Sequence, residues 1–277
     1  MSLAAEKNAV ARMSRAPVGL RLSARERMLY AEQGFFLRPD VFSEMEVVQL
    51  CAAAEHVVGR AREAARSGGR FYQIDGNRYL EIQGMTLQYE HGERTQELRV
   101  IQPFHHLDAH FDALVRDPRL VEPMRDLVAS ECVALFTDKL NLKRPREGSG
   151  FRWHQDSPYW AFACDHVERL PNAMLTLDTA TRDNGCLRLI PGSHRRGILP
   201  GTAGSGALDP LFTDPRCFDA DAQVLAEMSA GSLLFFHPHL VHGSEANLSH
   251  RGRRAVVLTY QPGGHPMFRS CEVKDVG

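Results

Sequence analysis

One short segment of the chain combines a histidine and an aspartate at a spacing that suits a metal ion. The segment FRWHQDSPYW contains His154 and Asp156, two residues apart. On a β-strand, side chains two residues apart project from the same face, so an imidazole and a carboxylate could converge on one ion. Such a tripeptide is also common on solvated surfaces, so a metal site needs a further ligand from elsewhere in the chain.

That further ligand is available in the segment FFHPHLVHGSEAN, which contains His237, His239 and His242. A second neutral imidazole from another strand would complete a set of two histidines and one carboxylate. This ligand set is typical of non-haem iron(II) oxygenases, because it leaves coordination positions open for reactants. The two segments together therefore favour oxygen chemistry at iron.

An arginine follows the histidines at the start of another apolar segment. The run from Asn247 to Arg253 leads into the strand-like sequence RAVVLTY. An arginine at the end of a strand can bind a carboxylate through two parallel hydrogen bonds. Because neighbours on a strand face opposite sides, Arg253 and Arg254 cannot both point toward the interior. A carboxylate-bearing co-substrate would fit such an arginine.

The composition favours a globular protein that acts on small molecules. The chain has 277 residues, of which 43% are hydrophobic, and its 33 Lys and Arg nearly balance its 34 Asp and Glu. A balanced charge gives no reason to expect nucleic acid or a membrane as a partner. The six cysteines are far apart, without a C-x-x-C pair, and no apolar run resembles a signal segment or a membrane span. We expect a cytoplasmic protein, either a monomer or a homodimer.

Helical patterns precede strand patterns along the chain. A helix is predicted from Ser23, and Ser43 is predicted to cap a second helix whose apolar stripe is Val47, Val48, Leu50, Cys51 and Ala54. After residue 131, short apolar segments alternate with turn residues, as in an antiparallel jelly roll. Residues 1–22 lack a clear period and are predicted to be a mobile N-terminal arm, so that 23–277 form a single domain. The Gly- and Pro-rich stretch 195–222 is predicted to be a lid.

Three motifs make the chain resemble the phytanoyl-CoA dioxygenase family. They are WHQD at Trp153 to Asp156, NGCLRLIPGSH at Asn184 to His194, and FFHPHLVHGSEANLSHRGRR at Phe235 to Arg254. With the earlier segment YAEQGFFLRPDVFSEMEVVQL, the similarity extends from about Ser23 to Gln261. The resemblance implies a mainly β fold with N-terminal helices and a double-stranded β-helix (jelly-roll, cupin-like) core. It also implies Fe(II), 2-oxoglutarate and O2 as cofactor and co-substrates, with ascorbate as an assisting reductant.

The resemblance also implies roles for individual residues. The metal ligands would be His154, Asp156 and His242, since the family's ligand strand ends in H-G-S. The arginine that binds 2-oxoglutarate would be Arg253, eleven residues after His242, and Asn141 matches a co-substrate asparagine of the ectoine hydroxylase branch. Side chains near the H-x-D motif are candidates for substrate binding: Tyr159, Trp160, Arg152 and Phe162.

The predicted activity is hydroxylation of a small organic substrate, with release of succinate and CO2. Because Asp156 is present, hydroxylation or a related oxidation is favoured over halogenation, which needs that metal position for chloride. A secondary-metabolite intermediate or an amino-acid-like compound is preferred, since no basic cluster suits a CoA phosphate. Two alternatives stay open: a cupin-like metal isomerase without redox chemistry, and a non-catalytic barrel that only binds a ligand. Arg253 argues against both, because neither needs a cation there.

Overall fold

The computed structural model describes residues 19–92, 95–270 and 272–276. The helices are α1 Ala24–Gln33, α2 Glu44–Arg66, α3 Ala109–Leu114, α4 Pro118–Val128 and α5 Ser157–Trp160. The strands are β1 Phe35–Arg38, β2 Arg70–Ile74, β3 Asn77–Ile82, β4 Met85–Tyr89, β5 Leu98–Gln102, β6 Val133–Lys143, β7 Phe151–His154, β8 Asn172–Thr176, β9 Leu187–Leu189, β10 Val224–Ala226, β11 Leu233–Phe236, β12 His242–Ser244 and β13 Arg253–Pro262.

The first two helices, α1 and α2, each begin with a capping box at the serine that the sequence predicts as the helix start. Ser23 accepts a hydrogen bond from the backbone N–H of Glu26, whose carboxylate accepts one from the Ser23 N–H, and Ser43 and Glu46 repeat this arrangement at α2. On α2, Val47 is buried whereas Val48 is 62% exposed. The predicted apolar stripe is therefore wrong at Val48, because adjacent helical residues are turned by about 100° and only one faces the core.

The strands form two antiparallel sheets that enclose a barrel-like interior. The larger sheet has the order β1-β11-β8-β13-β6-β5-β4-β3-β2, and the smaller has the order β10-β9-β12-β7. Leu189 of the smaller sheet packs with Met174, Ala255 and Val257 of the larger sheet in one buried cluster. The mainly β prediction is confirmed, and the two facing sheets are consistent with a jelly-roll core.

A second, larger cluster lies on the outer face of the large sheet. There α2, α3 and α4 pack against side chains that point away from the barrel, including Leu140, Val256 and Leu258. On β6 and β13, the residues that alternate with these outward-pointing ones point into the barrel. On β6 these are Thr137, Lys139, Asn141 and Lys143, which lie opposite Thr259, Val257, Ala255 and Arg253 of β13. The helices thus leave the polar face of β6 to the barrel interior.

Part of the predicted N-terminal arm lies outside the described residues, namely 1–18. At its described end, the Leu22 N–H donates to the Asp126 carboxylate at 2.9 Å, and Arg21 pairs with Glu122 at 2.7 Å. Residues 21 and 22 are therefore attached to α4 rather than free. Within the described residues, no helix is long and apolar enough to cross a membrane.

Candidate metal centre

Two histidines lie opposite each other on adjacent strands of the small sheet. His154 at the end of β7 is the cross-strand partner of His242 at the start of β12, and their ring centroids are 4.2 Å apart. Asp156 is not on the strand, as the sequence pattern had suggested, but at the start of α5 with φ −75° and ψ −31°. The N–H groups of Asp156 and Ser157 both donate to the Pro238 carbonyl, which holds this turn against the segment leading to β12.

The three side chains are arranged as a metal site requires. His154, Asp156 and His242 each offer a ligand atom, and these atoms all lie within 4.8 Å of one another. The His154 Nδ1 donates to the Arg152 carbonyl at 2.7 Å, and the His242 Nδ1 donates to the Leu240 carbonyl at 2.9 Å. These bonds fix the tautomer that leaves each Nε2 free to bind a cation. The donor set fits iron(II).

The charges at the centre favour the ligand forms of the side chains. Burial and the neighbouring His242 lower the pKa of His154 to about 3, so its imidazole is neutral at physiological pH. Burial alone would raise the pKa of Asp156, but the Lys139 ammonium, the two neighbouring histidines and the hydrogen bond from Asn172 together lower it below its ordinary value. The centre therefore presents a carboxylate and a neutral imidazole without any further proton loss.

Three residues that support Asp156 were not identified from the sequence. The Asn172 amide donates to Asp156 Oδ2 at 2.9 Å and accepts from the Thr259 hydroxyl at 2.6 Å. The Lys139 ammonium lies 3.7 Å from Asp156 Oδ1. Lys139 could have been suspected, because the polar residues of KLNLK alternate with apolar ones on an otherwise buried strand.

Loss of the Asn172 amide is expected to weaken metal binding. Asn172→Ala leaves Asp156 without its buried donor, and we expect a fall of about 10- to 100-fold in iron(II) affinity, as for other residues that orient metal ligands. The measurement is an anaerobic iron titration, with the melting temperature as a check on folding. Thr259→Val removes a hydroxyl that is one hydrogen bond further from the metal site, so it should lower the iron(II) affinity less. Equal affinities for Asn172→Ala and the unaltered protein would contradict this role.

A buried cationic end of the barrel contains the predicted co-substrate arginine. Arg253 is 3% exposed and points inward, like Ala255 two residues later. Its Nε and Nη1 have no hydrogen-bond partner among the described residues. Burial lowers the pKa of Arg253 to about 10, so it is still cationic at neutral pH. Arg254 points outward and pairs with Asp178 at 2.7 Å and Glu55 at 3.1 Å.

Ser244 is a further candidate that the sequence prediction did not single out. It follows His242 by two residues on β12, is 3% exposed, and its Oγ has no partner among the described residues. The available signal was its place in the H-G-S motif, since residues two apart on a strand share a face. Asn141, predicted from the resemblance, is partly buried and lies opposite Ala255 on the inner face of the barrel.

The two aromatic candidates for substrate binding have different environments. The Tyr159 ring meets the His154 ring edge-on, with centroids 6.0 Å apart, and therefore lies beside the metal ligands. Trp160 is only 1% exposed and packs edge-on against Phe136 at 5.3 Å. Its rings are used in the packing of α5 against β6, and its role in substrate binding stays a prediction. Its face also lies 5.3 Å from the Lys139 ammonium, a cation–π contact that helps to position that lysine.

The remaining two candidates lie at the rim. The Arg152 side chain is 56% exposed, pairs with Asp209 at 3.1 Å and lies 3.9 Å above the Phe212 ring. Phe162 is 81% exposed and contacts the Phe268 ring at 6.1 Å. Arg152 thus contacts the predicted lid segment, residues 195–222. Phe212 of this segment also forms an isolated antiparallel β-bridge with His154. The segment covers the edge of β7 next to the metal ligands.

The other histidines of the ligand segment contact neighbouring groups outside the cluster of His154, Asp156 and His242. The His237 Nδ1 accepts from the His239 N–H at 3.0 Å, and the His239 ring contacts the Ser157 hydroxyl. His105, from the separate FHHLDAH cluster, is buried and bonds to Asp138 at 2.8 Å on the outer face of β6. These contacts account for the three imidazoles without a metal.

Comparisons with known proteins show which family the chain is similar to. The family model for phytanoyl-CoA dioxygenase matches residues 30–255. The ectoine dioxygenase of Bordetella bronchiseptica is 29% identical over 266 residues, covering 86% of this chain and 75% of that protein. The L-proline trans-4-hydroxylase of Streptomyces griseoviridis is 29% identical over 196 residues, covering 61% of this chain and 69% of the other.

A likeness to solved structures supports the fold. The structure of EctD from S. alaskensis with 2-oxoglutarate and 5-hydroxyectoine superimposes with a TM-score of 0.69 at 21% identity, covering 97% of this chain and 91% of that one. The carbocyclase SnoK from nogalamycin biosynthesis, described as non-heme and alpha ketoglutarate dependent, superimposes with a TM-score of 0.64 at 21% identity, covering 90% of this chain and 88% of that one.

Proposed function

Since the chain belongs to the phytanoyl-CoA dioxygenase family and is an iron(II)- and 2-oxoglutarate-dependent dioxygenase of small substrates, we propose that His154, Asp156 and His242 are its iron ligands. Their ligand atoms cluster within 4.8 Å, and both imidazoles present a free Nε2. Two imidazoles and one carboxylate leave the opposite positions of the ion for 2-oxoglutarate and dioxygen.

The observation that carries the proposed site is the buried Arg253 guanidinium, whose Nε and Nη1 have no partner within the described part of the chain. A buried cation with free donors is costly unless an anion binds it. The far carboxylate of 2-oxoglutarate would provide that anion, with the Ser244 hydroxyl as an additional donor and Asn141 nearby on the inner face of β6. A metal isomerase or a simple binding barrel has no use for this cation.

The protein residues contribute binding, orientation and exclusion of water. Iron(II) with 2-oxoglutarate and dioxygen supplies the oxidation itself, which inserts one oxygen atom into a substrate C–H bond and forms succinate and carbon dioxide. Asn172 and Lys139 hold the Asp156 carboxylate in its ionised form. Tyr159 borders the metal ligands, and the segment 195–222 covers the adjacent edge of β7, where both can exclude water from the substrate.

The proposed substrate is a secondary-metabolite intermediate or an amino-acid-like compound. The names of two relatives, ectoine dioxygenase and L-proline trans-4-hydroxylase, support a compact substrate of this size. Desaturation or epimerisation would use the same residues. We further propose that the protein acts in the cytoplasm as a monomer or homodimer, without a nucleic-acid or membrane partner, as its balanced charge suggests.

The experiment that tests the function is a screen for succinate. Protein loaded anaerobically with iron(II) is mixed with 2-oxoglutarate, ascorbate and air, and succinate is measured with and without a panel of amino acids and natural-product intermediates. We expect slow succinate formation without substrate and faster formation with the true one, together with a product heavier by one oxygen atom. Zinc content alone, with no succinate under any condition, would favour the isomerase instead.

A further inference from the structure

Three cationic side chains lie together at the inner end of the barrel. Arg99, Lys143 and Arg253 are 3%, 1% and 3% exposed, and Lys143 is the cross-strand partner of Arg253. Arg99 lies 3.8 Å above the Phe151 ring, and the Lys143 ammonium lies 5.6 Å from the same ring. The three cations therefore occupy one region, although they come from β5, β6 and β13.

The negative charge around these cations does not balance them. Glu90 is a buried carboxylate, 2% exposed, that acts on both Arg99 and Lys143. The Glu245 side chain is 63% exposed and pairs with Arg188 at 2.5 Å. Asp178 acts on Arg253 but is bound on the outer face by Arg254. Buried positive charge thus exceeds buried negative charge in this region, which favours either an anionic ligand or loss of a proton.

Lys143 is the member of the group that can lose its proton. Its Nζ donates to the Glu245 backbone carbonyl and lies near Gly185, at the start of the segment that includes Cys186. Burial, followed by the charges of Arg253 and Arg99, lowers the pKa of Lys143 to about 6, although Glu90 and Glu245 act in the opposite direction. Without an added anion, Lys143 is therefore largely neutral at pH 7.5, whereas Arg253 is cationic.

We propose that Lys143 is a second cationic residue of the co-substrate pocket, which takes up a proton when the far carboxylate of 2-oxoglutarate binds at Arg253. The inference rests on the proposed function of Arg253. The negative charge of the bound carboxylate offsets the repulsion between Lys143 on β6 and Arg253 on β13, so the ammonium form of Lys143 becomes favourable. Co-substrate affinity is thereby linked to pH, and the binding region selects a fully ionised dicarboxylate.

The linkage has a definite sign. At a pH above the pKa that Lys143 has in the absence of 2-oxoglutarate, binding of 2-oxoglutarate requires Lys143 to take up a proton from solution. The affinity for 2-oxoglutarate therefore falls as the pH rises. For uptake of one proton the dissociation constant increases by up to about tenfold per pH unit. The experiment is calorimetric titration of 2-oxoglutarate into anaerobic iron(II)-loaded protein at pH 7 to 8.5, in two buffers with different ionisation enthalpies. The difference in heat between the buffers gives the number of protons taken up.

Two variants and one control isolate the lysine. Lys143→Met keeps the length of the side chain but cannot be protonated, and Lys143→Gln also keeps a donor for the Glu245 carbonyl. Both should bind 2-oxoglutarate without the proton uptake and with a flat pH dependence. Lys274→Met, which removes a lysine that pairs with Asp112 outside the barrel, should behave like the unaltered protein.

The outcomes separate this inference from the proposed function. If the unaltered protein does not bind 2-oxoglutarate at any pH, the function assigned to Arg253 is wrong. If 2-oxoglutarate binds without proton uptake, or if the Lys143 variants keep the uptake, the role of Lys143 is overturned while the function stands. If neither variant folds, binding of 2-oxoglutarate to the unaltered protein without proton uptake still overturns the role of Lys143.

Discussion

Substitution of Asp156 by alanine is expected to abolish substrate oxidation and to lower iron(II) affinity by more than about 100-fold, since loss of a residue that merely orients a ligand costs 10- to 100-fold. Two imidazoles alone cannot replace the charge of the carboxylate. Asp156 lies at the start of α5, where its side chain faces His154 and His242 rather than an apolar cluster. The protein should therefore fold, with the loss confined to metal binding and turnover.

The matched control for this change lies on the same loop. Asp165→Ala removes a carboxylate whose side chain is fully exposed, so iron affinity and succinate formation should be unchanged. Iron content is measured after anaerobic loading, and folding by circular dichroism. An Asp156→Ala protein that keeps its iron and its substrate-dependent oxidation would rule out the assigned ligand set.

Substitution of Arg253 by alanine is expected to raise the half-saturating 2-oxoglutarate concentration by about 10- to 100-fold. A charge-assisted contact between arginine and a carboxylate in a desolvated pocket contributes about 1.5 to 3 kcal/mol, and about 1.4 kcal/mol corresponds to a factor of ten. Arg253 is suited to this contact because it is buried and its Nε and Nη1 are free of partners among the described residues. The measurement is succinate formation against 2-oxoglutarate concentration.

The adjacent Arg254 provides the control. Its guanidinium is held on the outer face by Asp178 and Glu55, so Arg254→Ala should affect stability more than the half-saturating concentration of 2-oxoglutarate. If Arg254→Ala weakens 2-oxoglutarate binding and Arg253→Ala does not, the assignment of faces on β13 is off by one residue. The choice of His242 as distal ligand would then also be in question.

Motifs with short spacing could be interpreted from the sequence alone. The helix starts at Ser23 and Ser43 were predictable because a capping box needs only four consecutive residues. The strand alternation that separates Arg253 from Arg254 is equally local, and the structure places the two side chains on opposite faces as predicted. The family and its iron and 2-oxoglutarate chemistry were likewise predicted correctly from three motifs.

Residues distant in the chain could be brought together only by the tertiary structure. Residue type alone does not distinguish His237, His239 and His242, and only the family resemblance had selected His242. The pairing of β7 with β12 places His242 opposite His154, whereas His237 and His239 have other contacts. Trp160, predicted from the sequence as a substrate contact, is buried by the packing of α5 against Phe136, a burial that no local pattern indicated.

The local sequence determined which residues share a face of a strand or helix, because backbone geometry repeats over two to four residues. It therefore established the metal-binding residue types, the helix caps and the alternation on β6 and β13. The tertiary structure decided the rest: that His242 lies opposite His154, as only the resemblance had implied, that Asn172 supports Asp156, and that Arg99 and Lys143 join Arg253. The physical reason is that burial and charge proximity depend on partners that lie outside the two- to four-residue repeat of a strand or helix, from 16 residues away for Asn172 and Asp156 upward, which no local pattern specifies.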